Sequence, residues 1–366
     1  MNDAARALLR HPIVMASVEP ELHREIRRHE EELARFFRSY LGYRLQADAR
    51  MARLYKAGLG PRTGRPLVRR DRSAFTPRDY TYLVLVCAVL LSTRSQVLLS
   101  AVAAEVRQAA AEAGVELGAD TLPERRALVH ALRKLIEWGA LAEDAGSVAD
   151  YADDPSKEAL LWVERDLIRS LIAVPLREID TPADLVHVAS VVDAESVRHA
   201  VRRKIVEQPV VLLDDLTDAE SAWLRQNQRR EAQILEDSLG LQLEIRAEGV
   251  AAFDPEDELT DIRFPREGTL GQAALLALAA LVDALAPSSP SGEVRVPAGL
   301  LEAVVGGLLA EHAARWSKDY TESPARLVDD VRGLLVDMGV LAEAADGSIT
   351  LRAVASRYAP EPEVHE

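Results

Sequence analysis

A nine-residue string occurs twice in this chain, displaced by 200 positions. Leu135-Ile136-Glu137-Trp138-Gly139-Ala140-Leu141-Ala142-Glu143 returns as Leu335-Val336-Asp337-Met338-Gly339-Val340-Leu341-Ala342-Glu343. Apolar positions stay apolar, the glycine is fixed and both acids are matched. A solenoid would repeat every 20–50 residues or so, so the spacing argues for two copies of one small module. The string also has a mechanical meaning. An apolar helix runs out at Trp138 or Met338, the glycine takes the left-handed position that stops it, and Leu-Ala-Glu opens a strand. Helix, glycine, strand and hairpin is the run of the third helix of a winged-helix unit into its wing.

The flanking residues extend the pattern. Thr76-Pro77 and Thr269-Leu270 precede apolar helices over 80–91 and 273–285, with proline tolerated in the first turn. Second helices are expected near 97–113 and 298–316. The third opens at Thr121-Leu122-Pro123-Glu124, which reads as a capping box, or at Ser323-Pro324. Leu128, Leu132, Leu135 and Ile136 form one helical stripe, and Val328, Val331, Leu335 and Met338 the other. Ala344-Ala345-Asp346-Gly347 signals a tight turn before a return strand at Ile349–Arg352, and 159–163 returns in the first copy after an acidic tip over 150–158. The predicted fold class is mainly α with small β-hairpins (α+β), built on tandem winged-helix domains with an N-terminal helical region.

Four segments follow from this frame: an N-terminal helical region with a basic arm (1–75), a first winged-helix domain (76–180), a middle helix-hairpin segment (181–265) and a second winged-helix domain (266–360). In the first, Leu22, Ile26, His29, Leu33, Phe36, Phe37 and Tyr40 fall at helical spacing, and His23 and His29 read as helix-face residues. In the middle segment Thr181-Pro182 caps a short helix, 196–206 forms a helix carrying Arg198, Arg202, Arg203 and Lys204, and 209–213 reads as a strand. Thr217 and Glu220 form a capping box, and 241–246 and 250–253 are the arms of a hairpin. With 366 residues and 48% hydrophobic content, a chain of several cored domains is expected. The lone Cys87 forms no internal disulfide, and the N-terminus lacks a signal-peptide pattern. A cytoplasmic location, nucleic-acid associated through a larger complex, is the expectation.

Charge is unevenly spread. The net value is −15, yet between positions 50 and 78 nine basic residues face the single acid Asp71. Glycines and prolines at 58–66 argue for a loop-like arm able to follow a phosphate backbone, or else a solvated linker. Arg62, Arg65, Arg69, Arg70 and Arg72 are its DNA-binding candidates. On the first third helix Arg126, His130 and Arg133 share a face, with Lys134 beside them, as in helices that present side chains to the major groove. The second third helix carries Asp329, Asp330 and Asp337 there and suits a protein partner instead.

Catalytic signals are lacking. The chain has no Gly-rich Lys-Ser/Thr phosphate loop, no Ser/His/Asp or Cys/His set, and no His/Cys/acid spacing of a metal site. Asp214-Asp215 reads as favourable negative charge at a helix start rather than as a nuclease metal site. No catalytic, cofactor-binding or metal-binding residue is therefore expected, and no enzyme activity.

The stretches 206–217 (VEQPVVLLDDLT), 244–250 (EIRAEGV) and 259–265 (LTDIRFP), with LLRHP at 8–12 and FTPRDY at 75–80, resemble the bacterial DUF2398 family over nearly the whole chain. The resemblance implies a gene cassette with a giant SMC-type ATPase, similar to the Wadjet anti-plasmid systems. It also implies a role as a kleisin-interacting tandem winged-helix (KITE) subunit, like the MukE subunit of bacterial condensin. Expected partners are a kleisin-like subunit, the SMC-like ATPase complex, DNA through that assembly, and a second copy of the chain. A free-standing tandem winged-helix transcriptional regulator is the alternative. The resemblance implies no catalytic residue.

Overall fold

The computed structural model describes residues 1–59, 66–71, 73–173, 179–190, 197–285, 293–344 and 346–358. The chain divides into two compact units, Asp3–Glu195 and Ser196–Glu366. Mostly helical, it carries among the described residues four antiparallel three-stranded sheets, two in each unit, and in every one the last strand lies between the other two.

The first unit begins with α1 (Asn2–Arg10), β1 (Ile13–Met15), α2 (Pro20–Arg28), α3 (Glu30–Phe36), β2 (Arg44–Ala47) and β3 (Met51–Tyr55), ordered β1-β3-β2. The expected N-terminal helical region is therefore a mixed module. The segment expected to be a loop-like arm begins as its central strand. Met51, Ala52, Leu54 and Tyr55 are buried there, and that burial outweighs the local excess of basic residues. His23 is buried, with its ring Nε2 2.9 Å from the Asp48 carbonyl oxygen, and His29 lies 3.0 Å from Glu25 on the helix face.

Its second module runs α4 (Pro77–Ser92), β4 (Gln96–Leu98), α5 (Leu99–Glu112), α6 (Leu122–Glu137), β5 (Leu141–Ala145), α7 (Val148–Tyr151) and β6 (Leu160–Val163), then α8 (Arg165–Leu171) and α9 (Pro182–Ser190). Thr76 caps α4 reciprocally with Asp79, behind Pro77 in the first turn. The capping box expected at Thr121 does not form. Glu124 instead accepts the Tyr82 hydroxyl at 2.7 Å and pairs with Arg78 at 3.3 Å, so the acid ties α6 to α4. Val86 and Leu90 of α4, Leu99 and Val102 of α5, and Leu132 and Leu135 of α6 form one core that Met15 and Met51 of the first module join.

The second unit repeats the scheme. Its first module holds α10 (Val197–Glu207), β7 (Val211–Leu212), α11 (Asp218–Leu239), β8 (Gln242–Ile245) and β9 (Gly249–Phe253). Its second holds α12 (Thr269–Leu285), β10 (Val294–Arg295), α13 (Leu300–His312), α14 (Lys318–Thr321), α15 (Pro324–Asp337), β11 (Leu341–Glu343) and β12 (Ile349–Leu351). The middle segment is thus a module in its own right. Thr217 and Glu220 cap α11 as expected, and the hydroxyl and backbone N–H of Thr181 both bind Asp184 at the start of α9.

The duplicated string does the same thing in both units. The Gly139 N–H donates to the Ile136 carbonyl at 2.9 Å and the Ala140 N–H to Leu135 at 2.8 Å; Gly339 and Val340 repeat this on Val336 and Leu335, both at 2.9 Å. Those are the two bonds of a Schellman stop, with glycine at φ +76 and +68. Each glycine also marks where one module meets the other. A Cβ on Gly139 would lie 2.9 Å from the Met15 side chain, and one on Gly339 2.8 Å from that of Val210. Ion pairs lie along both seams. In the first unit Arg50 binds Asp166 and lies 3.8 Å from Glu164. In the second Arg352 binds Asp215, and Arg357 reaches Glu244 at 2.9 Å. No described helix is long and apolar enough to cross a membrane.

Candidate functional site

Five of the basic residues singled out in the sequence converge on one cleft in the first unit. One wall is a short hairpin of residues 67–71 and 73–75, closed by the Val68–Ala74 bridge, by the Arg69 N–H on the Ser73 carbonyl (2.8 Å) and by the Phe75 N–H on Leu67 (2.7 Å). Its turn is fixed by Asp71, which accepts the Ser73 hydroxyl at 2.6 Å and backbone N–H at 3.0 Å; these bonds hold the carboxyl below its ordinary range. The Tyr80 hydroxyl accepts the Leu67 N–H at 2.7 Å and ties the hairpin to α4. The other wall is the C-terminal half of α6 with residues 143–149. There Glu143 accepts the Val148 N–H at 2.6 Å and the Ser147 hydroxyl at 3.1 Å, fixing the start of α7.

The walls are joined through Asp79, whose side chain is 1% exposed. Its carboxylate accepts the Thr76 N–H (2.7 Å), the Thr76 hydroxyl (2.8 Å) and Arg69 Nε (3.1 Å), and meets His130 Nδ1 at 2.9 Å. Burial by itself would raise its pKa. The Thr76 N–H, His130, Arg69 and the Thr76 hydroxyl together overcome that and bring it down to about 2. An ionised carboxylate only accepts, so His130 Nδ1 is the donor and Nε2 is the nitrogen left over.

The cleft between the walls has a volume of about 610 Å³. Arg69, Arg70, His130, Arg133 and Lys134 line it together with the acids Asp71, Glu137 and Glu143, and Val68, Phe75 and Ile136 supply apolar surface. The cations are not equivalent. Arg69 is neutralised by Asp79, and Lys134, 6% exposed, donates to Glu137 at 2.6 Å and lies 6.0 Å from the Phe75 ring centre. Arg70 and Arg133 have no acidic partner among the described residues. This arrangement can receive an anion beside a small apolar surface.

Other candidates lie elsewhere. Arg126 is exposed, lies 3.9 Å from Asp153 and is not among the residues lining the cleft, whereas His130 and Arg133 are. Arg62, Arg65 and Arg72 fall outside the described residues. On α15, Asp330 accepts the Tyr320 hydroxyl at 2.9 Å while Asp329 and Asp337 are exposed. Asp215 binds Arg352, and no group of three or more His, Cys, Asp or Glu placed to hold a metal occurs among the described residues. Sequence reasoning missed Asp79 and Phe75. Their signal was an acid three residues after Thr76 at the head of an otherwise apolar helix, which marks a reciprocal cap and here a buried hub.

The family model described as a protein of unknown function, DUF2398, matches residues 5–361. No curated protein and no solved structure matches the chain.

Proposed function

The chain belongs to the DUF2398 family, and we propose that it acts as a non-enzymatic, kleisin-interacting subunit of an SMC-like, plasmid-defence complex. One observation carries this reading. Four times the chain builds helix, strand, one or more helices, strand, strand, with the last strand central. That is the order of a winged helix, and such units in series suit a subunit that clasps an extended or helical segment of a larger chain. The contrast between α6, with Arg133 and Lys134, and α15, with Asp329 and Asp337, supports a division of labour. The second unit takes protein, and the first stands close to the nucleic acid that the ATPase handles. Function here lies in these surfaces rather than in the fold.

Co-expression with the neighbouring kleisin-like gene, followed by size-exclusion chromatography with light scattering, tests the proposal. A stable complex, with the chain present as paired copies, is expected. A chain that ignores that partner and binds one promoter sequence tightly is instead a free-standing regulator.

A further inference from the structure

A winged helix that reads duplex DNA lays its third helix in the major groove, which needs the outer face of that helix bare. Here the basic half of α6 does not stand bare. His130 is fastened to Asp79, which also holds Arg69 of the hairpin, and the Lys134 ammonium lies 6.0 Å from the centre of the Phe75 ring of that hairpin. What remains between hairpin and helix is a cleft of about 610 Å³. That lies in the range of about 300–1,000 Å³ typical of sites for single small molecules.

We infer that this cleft binds one nucleotide unit, a phosphate with its attached sugar and base, rather than the groove of a duplex. Its chemistry is bipartite, as a nucleotide requires. Arg70 and Arg133, the two lining arginines without an acidic partner among the described residues, supply fork-shaped donors for a phosphate. His130, whose Nδ1 donates to Asp79, keeps Nε2 as an acceptor for a sugar hydroxyl or a base amino group. Val68, 48% exposed, and Ile136 offer apolar surface to a base, and Glu137 can likewise accept from a sugar hydroxyl or a base amino group. Arg69 serves as a positioning residue, since its charge is already met by Asp79. A free nucleotide and a nucleotide within a single strand share this chemistry. The inference goes beyond the partner-binding reading and does not depend on it.

The full-length chain is titrated by fluorescence anisotropy with a labelled 5′-phosphorylated oligothymidylate, with the matched duplex, and with AMP as competitor. The single strand should bind more tightly than the duplex. Arg70→Ala and Arg133→Ala should each weaken it about tenfold, and each should reduce the salt dependence by about 0.7 of a slope unit. Arg126→Ala, on the same helix outside the cleft, should leave it unchanged. Competition by AMP assigns the site to free nucleotides; binding of the oligonucleotide without such competition assigns it to a strand. Duplex bound as tightly as single strand, affinity unmoved by both cleft variants, or no binding of either probe overturns the inference. Retention of the kleisin-like partner by both arginine variants, in the co-expression above, separates its failure from failure of the subunit proposal.

Discussion

Replacing Asp79 with asparagine removes the charge that joins the hairpin to α4 and α6 while keeping the shape of the side chain. Folding brings this carboxyl from the ordinary value near 4 to about 2, which corresponds to about 2 kcal/mol of stability at neutral pH. The figure needs little discount for solvent at Asp79 itself, which is 1% exposed, although Arg69 is 21% exposed and its Coulombic share is partly screened. For a unit of this size a loss of about 2 kcal/mol lowers the melting temperature by about 4–8 °C. The sign of the pH dependence follows from the depressed pKa. The contribution is complete above about pH 4 and disappears as the pH falls towards 2, so at pH 3 roughly half should remain. Urea unfolding of wild type and Asp79→Asn at pH 7 and pH 3, with amide exchange of α4 and α6 to assign the transition, measures both numbers. A variant within about 0.5 kcal/mol of wild type at pH 7, or a gap that widens on acidification, refutes the view of Asp79 as an ionised hub.

Gly139→Ala and Gly339→Ala should each destabilise their own unit by more than the 1–2 kcal/mol or so of a left-handed alanine, because the new methyl meets Met15 or Val210; urea titration that shows no loss removes the seam role of these glycines. Leu135→Ala and Leu335→Ala, both at 0% exposure, should each cost about 2–5 kcal/mol, and nearly equal losses are expected if the two strings do equal structural duty. Burial pushes the Cys87 thiol up to about 11, so alkylation of the native protein at pH 7.5 should be far slower than that of an unfolded control, and equal rates would show the thiol to be open.

Half of the duplication was legible in the sequence and half was not. The 135 and 335 strings stood out because a Schellman stop needs glycine between apolar residues, which leaves little freedom at those positions. The first modules of each unit also share a signature: His11-Pro12-Ile13-Val14 against Gln208-Pro209-Val210-Val211, and Leu41-Gly42 against Leu239-Gly240. It is faint in the sequence because strands as short as β1 and β7 give no periodicity to count, and because the charge around β3 resembles that of a loop. The cleft was half legible too. Local sequence marks Arg69, Arg70, His130, Arg133 and Lys134 as basic, but only tertiary placement shows which of them Asp79 and Glu137 have already neutralised.

The seam ion pairs run in opposite senses in the two units. In the first, the cation Arg50 belongs to the leading module and the anions Glu164 and Asp166 to the trailing one; in the second, Asp215 and Glu244 lead while Arg352 and Arg357 trail. Pairs whose partners keep part of their surface in solvent, as these do, add little to stability. Four modules with the same strand order emerge on one chain during synthesis, and docking of the wrong neighbours is a characteristic error of multidomain and repeat proteins. A leading module from the first unit placed on a trailing module from the second would set Arg50 against arginines, and the converse would set acids against acids. Like charge would thus meet like in either mismatched pairing, whereas each native pairing sets arginine against acid.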